Sequence, residues 1–194
     1  MDDPAIIEAK ARIRREALKQ RDALPPTVAI ENALALVDHL DALGDPMGLN
    51  VAGYWPIRSE IDPRPLLVAL RERGARTALP VVTDNGLIFR ELTRETDLVP
   101  AGFGTFGPPE TALAVTPDWI LLPLSAFDRT GGRLGYGQGH YDRAIARLRR
   151  EGYEPRLIGL SHAVQEREAL PLGDYDVRLF AVLCEHGLRA TSSE

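Results

Sequence analysis

The sequence predicts an α/β fold in which helices cover both faces of a mostly parallel β-sheet. Short apolar runs with strand character alternate along the chain with longer runs that have helical periodicity. Glycine and proline residues separate these runs, as expected of the connections between elements. Alternating strands and helices are typical of parallel sheets. A chain of 194 residues is long enough to bury a substantial core, so we expect a single domain over residues 1–194.

The predicted elements follow one another in a regular order. Helices are predicted over 5–22, over 28–43, from Pro63 or Arg64 to Arg73, and over 139–151. Strands are predicted over 49–55, 76–82, 87–92, 118–122, 156–161 and 177–183, with the turn Asp84-Asn85-Gly86 joining the second strand to the third. Residues 93–117 are rich in threonine, proline and glycine and are predicted to form surface loops.

The composition is that of an ordinary globular protein and argues against several classes of function. The formal net charge is -5, and an acidic chain is a poor non-specific binder of nucleic acid. The one cysteine, Cys184, cannot form an internal disulfide, and no Cys/His spacing resembles a zinc site. The sequence has no apolar run of membrane-spanning length and begins with acidic residues, so we expect a cytoplasmic protein, with a monomer as the default.

Residues 128–143, the glycine-rich segment, are the most informative stretch of the chain. They join an apolar strand to a helix, and such a connection exposes main-chain N–H groups that suit phosphate. The G-x-G-x-G pattern at Gly135, Gly137 and Gly139 is neither a dinucleotide fingerprint nor a Walker A loop, and a simple tight turn is the competing interpretation. Arg133 favours phosphate binding, and Asp142 in the first helical turn is a candidate Mg²⁺ ligand.

Basic residues share one face of the first helix. Lys10, Arg14 and Arg21 are spaced so that their side chains align. The helix alone leaves two interpretations open, a solvated basic face and a cationic strip that binds phosphates.

Acidic residues follow the first strand and precede the last. Glu60 lies in a loop after Trp55, where a carboxylate can accept hydrogen bonds from the N–H groups of a heterocycle. Asp62 precedes a proline and is expected to cap the next helix. Asp176 is either a second metal ligand or a turn residue. His162 and His140 are interpreted as polar surface groups, since neither shows a pairing with serine or cysteine.

Three of these segments follow predicted strands. They are residues 55–62, residues 124–139 and the Ser161-His162 turn. Ligands of open α/β sheets bind beyond the carboxyl ends of the strands, so we expect the three segments to converge on one cleft.

Taken together, these motifs resemble the 5-formyltetrahydrofolate cyclo-ligase family, also called 5,10-methenyltetrahydrofolate synthetase, over nearly the whole chain. The most specific match is the string Phe-Asp-x-x-Gly-x-Arg-Leu-Gly-x-Gly-x-Gly-x-Tyr-Asp, from Phe127 to Asp142. The flanking matches are Lys10-x-x-x-Arg14, Tyr54-Trp55-Pro56, Glu60-Ile61-Asp62, Leu79-Pro80, Asp118 to Pro123, Ile158-Gly159-Leu160, Gln165, Leu170-Pro171 and Asp176-Val177.

The resemblance implies a three-layer α/β/α sandwich similar to the sugar-phosphate isomerase and CoA-transferase folds. It also implies an ATP- and Mg²⁺-dependent ligase that cyclises 5-formyltetrahydrofolate to 5,10-methenyltetrahydrofolate and releases ADP and phosphate. The formyl oxygen would take the γ-phosphoryl group of ATP, and N10 would then displace phosphate.

The resemblance also assigns roles to individual positions. Arg133 and Tyr141 would be catalytic, Trp55 and Glu60 would hold the folate, and Asp142 and Asp176 would bind Mg²⁺. The ATP-binding positions would be Lys10, Arg14, Arg133, Leu134, Gly135, Tyr136, Gly137, Gln138, Gly139, His140 and Tyr141.

The chain departs from the family pattern at a few positions, which keeps alternatives open. His140, Pro63 and Phe180 stand where tyrosine, threonine and an acidic residue are usual, and Cys184-Glu185 stands in place of Thr-Glu. A paralogue that uses ATP on a different pterin or small amide is the second hypothesis. A nucleic-acid or nucleotide-binding module based on the first helix is the third, and the acidic net charge disfavours it.

Overall fold

The computed structural model describes residues 3–84, 86–102, 104–173 and 176–191, and within them the centre of the protein is a seven-stranded sheet. The helices are α1 Pro4–Asp22, α2 Pro26–Asp38, α3 Arg64–Glu72 and α4 His140–Arg150, with short 3-10 helices at Leu40–Leu43 and Ala163–Gln165. The strands are β1 Asn50–Ala52, β2 Arg76–Thr83, β3 Gly86–Glu91, β4 Val99–Pro100, β5 Phe106–Gly107, β6 Trp119–Pro123, β7 Ala126–Phe127, β8 Arg133–Leu134, β9 Arg156–Leu160, β10 Ala181–Cys184 and β11 Gly187–Ala190.

The order of the strands fixes where the chain can build a cleft. The sheet runs β11-β10-β9-β6-β1-β2-β3, and the five inner strands are parallel while the two edge strands are antiparallel. Strands β1 and β6 are neighbours at the middle of the sheet. The strands that follow β1 in the sequence are added on one side of it, first β2 and then β3, whereas β9 and β10, which follow β6, are added on the opposite side. The strand order therefore reverses between β1 and β6, and a crevice forms at the carboxyl ends of such a pair.

Helices cover both faces of the sheet, because side chains alternate along each buried strand. Trp119 and Leu121 of β6 face a core that includes α2 and α3. Ile120 and Leu122 of the same strand face the opposite core, which includes α4. The predicted α/β fold with a mostly parallel sheet between helical layers is confirmed.

Helix α1 lies outside these two cores and packs against the glycine-rich segment. Its fully buried Ala17 shares a third cluster with Ala126 and Leu134, on the antiparallel pair β7–β8, and with Leu170. The helix begins where Asp3 accepts a hydrogen bond from the N–H of Ala5, at 2.9 Å. No helix within the described residues is long and apolar enough to cross a membrane.

Some predicted boundaries are wrong at the end of the chain. The last predicted strand begins at Ala181 rather than at Val177, because residues before it pack on the glycine-rich segment, where the N–H of Leu179 donates to the carbonyl of Gly131 at 2.9 Å. The additional strand β11 was not predicted. It follows a tight turn in which Gly187 has a φ of 108°, a conformation suited to glycine.

The internal predictions need smaller corrections. The helix predicted over 28–43 ends at Asp38, and its last turn is a separate 3-10 helix. The loops predicted over 93–117 contain the two-stranded pair β4–β5. The hairpin of β2 and β3 is confirmed, although Asn85 of its predicted turn lies outside the described residues.

We predict that Gly159→Ala lowers the free energy of unfolding by about 1–3 kcal/mol, because it overpacks the core. A Cβ at this position of β9 would lie 2.6 Å from Leu124 Cδ2 and 2.8 Å from Leu179 Cδ1. Chemical denaturation measures the effect. Gly135→Ala is the matched control, since a Cβ at Gly135 meets no atom within 4 Å, and its unfolding free energy should change by less than about 0.5 kcal/mol. Equal stabilities of the two variants would contradict the packing described for β9.

Candidate active site

The predicted site residues gather at the carboxyl ends of β1 and β6, where the strand order reverses. Residues 55–62, the 55–62 loop, follow β1, and the glycine-rich segment follows β6. Arg21 of α1 donates hydrogen bonds to Ser59 of the first and Tyr136 of the second. His162, after β9, lies close enough to Arg21 for its pKa to be affected. The predicted convergence of the 55–62 loop and the glycine-rich segment is therefore confirmed, and the Ser161-His162 turn lies buried beside them.

The buried carboxylate of Asp128 fixes the beginning of the glycine-rich segment. Its Oδ1 accepts hydrogen bonds from the N–H groups of Thr130 and Gly132, both at 2.9 Å, and Oδ2 accepts from the N–H of Leu170 at 2.8 Å. A Cβ on Gly132 would lie 2.7 Å from Asp128 Oδ2, so the main chain passes directly over the carboxylate. These contacts set the path of the chain into Arg133.

Arg133 and Asp142 form an ion pair at the entrance to α4. Arg133 Nη2 donates to Asp142 Oδ1 at 2.5 Å. The arginine side chain is 7% exposed and the aspartate side chain 41%, so a buried cation is held by a carboxylate that solvent reaches. Arg133 Nε is buried and has no hydrogen-bond partner among the described residues. The ion pair therefore holds the Arg133 guanidinium in place, while its Nε–H donates to none of the described residues.

The backbone between Arg133 and α4 is open on the cleft side. A Cβ on Gly135 would contact nothing within 4 Å, and Gly137 and Gly139 adopt left-handed φ values of 91° and 66°. Glycine adopts such values without a steric cost. Leu134 differs from its neighbours, since its side chain lies in the cluster with Ala17, and only its main chain is available to a ligand. A segment of this shape can approach a phosphate closely.

The basic face of α1 is directed at other parts of the protein and not at solvent. Lys10 Nζ donates to Asp176 Oδ2 at 2.6 Å, and Arg14 Nε donates to the carbonyl of Gly135 at 2.6 Å. Arg21, 1% exposed, is one of the largest fully buried side chains. The interpretation of these three residues as a solvated basic face is therefore wrong.

The two predicted metal ligands are both ion-paired with cations of the site. Asp142 is paired with Arg133, and Asp176 with Lys10. Within the part of the chain that the structure describes, no three His, Cys, Asp or Glu side chains are grouped closely enough to form a metal cage. Two carboxylates nevertheless suit Mg²⁺, which is commonly held by one or two carboxylates together with substrate phosphate oxygens. The ligand types therefore fit Mg²⁺, with a phosphorylated ligand supplying the remaining oxygens.

The opposite wall of the cleft is aromatic. The ring centroids of Trp55 and Phe106 are 5.3 Å apart at an interplanar angle of 57°, and the guanidinium of Arg64 lies 5.0 Å from the Trp55 ring centroid. Asp62 pairs with this same Arg64, whose main-chain N–H donates to Asp62 Oδ1 at 2.9 Å and whose guanidinium forms an ion pair with the carboxylate. It lies at the start of α3 as predicted, but one residue before the N-cap position, which Pro63 occupies. Phe106 was not among the predicted site residues, because it lies far from Trp55 in the sequence.

Glu60 is the mostly buried carboxyl group of the 55–62 loop. Its Oε2 accepts a hydrogen bond from the N–H of Ile57 at 2.9 Å. Burial raises the pKa of Glu60 to about 7, and the Ile57 N–H, the nearby Arg21 and Tyr136 oppose that rise. A carboxyl group poised near neutrality inside a cleft is a candidate functional group.

Tyr141 connects the two walls. Burial raises the pKa of its hydroxyl, the charge of Glu60 acts in the same direction, and Arg133 opposes both. The phenol therefore lies within electrostatic reach of the carboxylate on one wall and the guanidinium on the other. Its neighbour His140 stands at the start of α4, where Nδ1 lies 3.2 Å from Arg143 Nη2.

The burial of two residues was not predicted from the sequence. Arg21 was predicted to lie on the basic face of α1, but no individual function was predicted for it. His162 is buried rather than a surface group, since its Nδ1 hydrogen bonds with Asn32 Nδ2 at 3.0 Å and burial lowers the pKa of its ring. The signal for Arg21 was its helical spacing from Lys10 and Arg14, whereas the position of His162 alone, after an apolar strand, indicated burial only weakly.

Comparison with known proteins identifies the family. The model of the 5-formyltetrahydrofolate cyclo-ligase family matches residues 6–185. The 5-formyltetrahydrofolate cyclo-ligase of Haemophilus influenzae is 31% identical, with 90% of this chain and 91% of that protein covered. The protein of the same name from Mycolicibacterium smegmatis is 32% identical, with 90% and 93% covered.

A solved structure agrees with the sequence comparisons. The Aquifex aeolicus 5,10-methenyltetrahydrofolate synthetase superimposes with a TM-score of 0.82 at 26% identity, over 95% of this chain and 94% of that one. The chain belongs to the 5-formyltetrahydrofolate cyclo-ligase family, a family of ligases, as the glycine-rich segment and its flanking motifs predicted.

Proposed function

We propose that residues 1–194 act as one domain that converts 5-formyltetrahydrofolate to 5,10-methenyltetrahydrofolate, using ATP and releasing ADP and phosphate. The observation that carries this proposal is that the buried Tyr141 hydroxyl lies within electrostatic reach of both the Glu60 carboxylate and the Arg133 guanidinium, which is itself ion-paired with Asp142. One wall of the cleft offers cations and open backbone, and the other offers an aromatic ring and a carboxyl group. The names of the similar proteins support the same substrate.

The nucleotide side of the proposal rests on charge and open backbone. Lys10, Arg14 and Arg133 would neutralise the triphosphate, which would lie along residues 134–141. Gly135, Gly137 and Gly139 would bring main-chain N–H groups close to it, and Tyr136, Gln138 and His140 would flank it.

The proposed Mg²⁺ ligands are Asp142 and Asp176. Both carboxylates are paired with cations that also suit phosphate oxygens, so a bound triphosphate gives Lys10 and Arg133 a second anionic partner. When bound, Mg²⁺ supplies positive charge to phosphate oxygens.

The folate side of the proposal rests on Trp55 and Glu60. The Trp55 ring offers an apolar face to the pterin, and the ionised Glu60 accepts hydrogen bonds from its N–H groups. The reacting formyl group would then face Tyr141, close to Arg133.

The chemistry explains why a nucleotide is required. The formyl oxygen of an amide is a poor leaving group, so its direct replacement by N10 is slow. Attack of that oxygen on the γ-phosphorus of ATP releases ADP and gives an imidate phosphate. N10 then attacks the formyl carbon and gives up its proton to solvent, the C–O bond breaks, and phosphate leaves as the methenyl bridge forms. The protein has to position the reactants and neutralise charge, and Arg133 and Tyr141 are the proposed catalytic residues.

The proposed partners are small molecules only, ATP and 5-formyltetrahydrofolate. We propose a cytoplasmic monomer, in which the buried free thiol of Cys184 is consistent with a reducing compartment.

We predict that the purified protein gives an ATP- and Mg²⁺-dependent rise in the near-ultraviolet absorbance of the methenyl product. Arg133→Ala and Asp142→Asn should each lower turnover by about a hundredfold or more while remaining folded, since the first removes a cation at the transferring phosphoryl group and the second removes a proposed Mg²⁺ ligand and the ion-pair partner of Arg133. Arg129→Ala is the matched control: Arg129 belongs to the same segment, but its side chain is 81% exposed and pairs with Glu166, so turnover should be unchanged. If the protein consumed ATP only with another pterin or amide, the paralogue hypothesis would replace this one.

We predict that Glu60→Gln weakens the binding of 5-formyltetrahydrofolate about 10- to 100-fold and leaves ATP binding nearly unchanged. Binding to the unaltered protein should weaken as pH falls below about 7, because the carboxyl group then takes up a proton and loses acceptor capacity. The variant should lack this pH dependence. Isothermal titration with each ligand over a pH series measures both effects, and equal losses for folate and ATP would contradict a role in folate recognition.

The same substitution should stabilise the free protein at alkaline pH. The pKa of Glu60 is about 7 in the folded protein and near 4.5 in the unfolded chain, so the folded state binds more protons between these values and stability falls as pH rises through them. Glu60→Gln removes this loss and should raise the free energy of unfolding at about pH 8 by on the order of 1 kcal/mol. Urea denaturation at about pH 5 and about pH 8 tests this. A variant less stable than the unaltered protein at the higher pH would contradict the raised pKa.

A further inference from the structure

We infer that Arg21 is a positioning residue that couples the two halves of the site, so that ATP and folate each increase the affinity of the protein for the other. The inference rests on the proposed function and goes beyond it, since it concerns how the two binding walls communicate. It is carried by the hydrogen bonds of one buried guanidinium, which joins the glycine-rich segment to the 55–62 loop.

The geometry of Arg21 makes it a bridge between two segments distant in sequence. From the last turn of α1, its Nε donates to Ser59 Oγ at 3.0 Å and its Nη2 donates to Tyr136 Oη at 2.7 Å. The guanidinium is planar and its donors have fixed relative positions. A displacement of one partner therefore either moves the other or breaks a hydrogen bond.

Tyr136 provides the side chain through which this part of the glycine-rich segment is hydrogen-bonded to Arg21. Tyr136 stands between Gly135 and Gly137, neither of which has a side chain, so its phenol is the part of the turn that reaches across the cleft. The guanidinium carbons of Arg21 and Arg58 lie 5.8 and 5.9 Å from the Tyr136 ring centroid. Cations near the ring therefore connect the phenol to both α1 and the 55–62 loop.

The 55–62 loop is held in a conformation that it would not adopt alone. Arg58 has a left-handed φ of 53°, a strained conformation for a non-glycine residue that persists only when its surroundings fix it. The next residue, Ser59, accepts the hydrogen bond from Arg21 and also hydrogen bonds with Asp22 at the end of α1. Glu60, the proposed folate ligand, follows directly.

The charges around Arg21 make the coupling between the two ligands favourable. Arg21 is 1% exposed, and its Nη1 is buried without a hydrogen-bond partner among the described residues. A buried cation is stabilised by a nearby negative charge, and the charge of Arg21 in turn favours ionised Glu60. Folate binding to ionised Glu60 fixes the guanidinium, and the guanidinium fixes Tyr136 in the nucleotide wall. The ligand that binds second meets a segment already ordered, so the coupling is favourable in both directions.

Isothermal titration measures the coupling directly. The dissociation constant of 5-formyltetrahydrofolate is determined with and without a saturating non-hydrolysable ATP analogue and Mg²⁺, and that of the analogue with and without folate. The ratio should be on the order of tenfold, and linkage requires the same value from both directions. Ser59→Ala, Tyr136→Phe and Arg21→Lys, which each disrupt one or both hydrogen bonds of the bridge, should reduce the ratio to within about twofold of unity. Arg15→Lys, on the exposed face of the same helix, is the matched control and should keep the ratio of the unaltered protein.

The outcomes separate this inference from the proposed function. Should Arg21→Lys fail to fold, Ser59→Ala and Tyr136→Phe decide the matter, because each deletes only a hydroxyl group. Variants that weaken one ligand but retain the coupling ratio would show purely local roles and overturn the inference. A ratio of unity in a protein that binds both ligands and forms the methenyl product would overturn it while the proposed function stands. A protein that binds neither ligand would overturn both.

Discussion

The reversal of strand order between β1 and β6 is the constraint on which the rest of the structure depends. It separates the connections that leave the two strands, so the 55–62 loop and the glycine-rich segment form opposite walls of one crevice. Helix α1 then lies beside the crevice and directs its cations at both walls. A change of topology at this one point would separate residues that the proposed chemistry needs within a few ångströms of each other.

The charges of the crevice are arranged in compensating pairs. Lys10 with Asp176, and Arg133 with Asp142, hold each other in place without a ligand. Burying the two cations unpaired would be costly, which explains why a site that we propose to bind a polyanion carries its own carboxylates. Glu60 differs because burial raises its pKa to about 7, and the N–H of Ile57 and the nearby Arg21 only partly oppose that rise. A carboxyl group with such a pKa is a candidate for the proposed contact with a substrate.

Much of this arrangement could be predicted from the sequence, because the determinants are local. The strand and helix patterns predicted the sheet, and the spacing of glycines around Arg133 located the glycine-rich segment that we propose binds phosphate. The rest depends on tertiary contacts that have no local signal. The burial of His162 follows from its packing against α2, and the strand β11 depends on the turn at Gly187. The sequence alone does not distinguish the buried Arg21 from a surface arginine, since its two hydrogen-bond partners lie 38 and 115 residues away in the sequence.

The transfer of phosphate to the formyl oxygen is the step that the arrangement of Glu60, Tyr141 and Arg133 is proposed to serve. An oxygen-isotope experiment tests it most directly. The protein is supplied with 5-formyltetrahydrofolate labelled with ¹⁸O in the formyl group, unlabelled ATP and Mg²⁺, and the released phosphate is analysed by mass spectrometry. Phosphorylation of the formyl oxygen predicts one ¹⁸O atom in each phosphate formed with the methenyl product. Unlabelled phosphate, with the ¹⁸O lost to water, would contradict it.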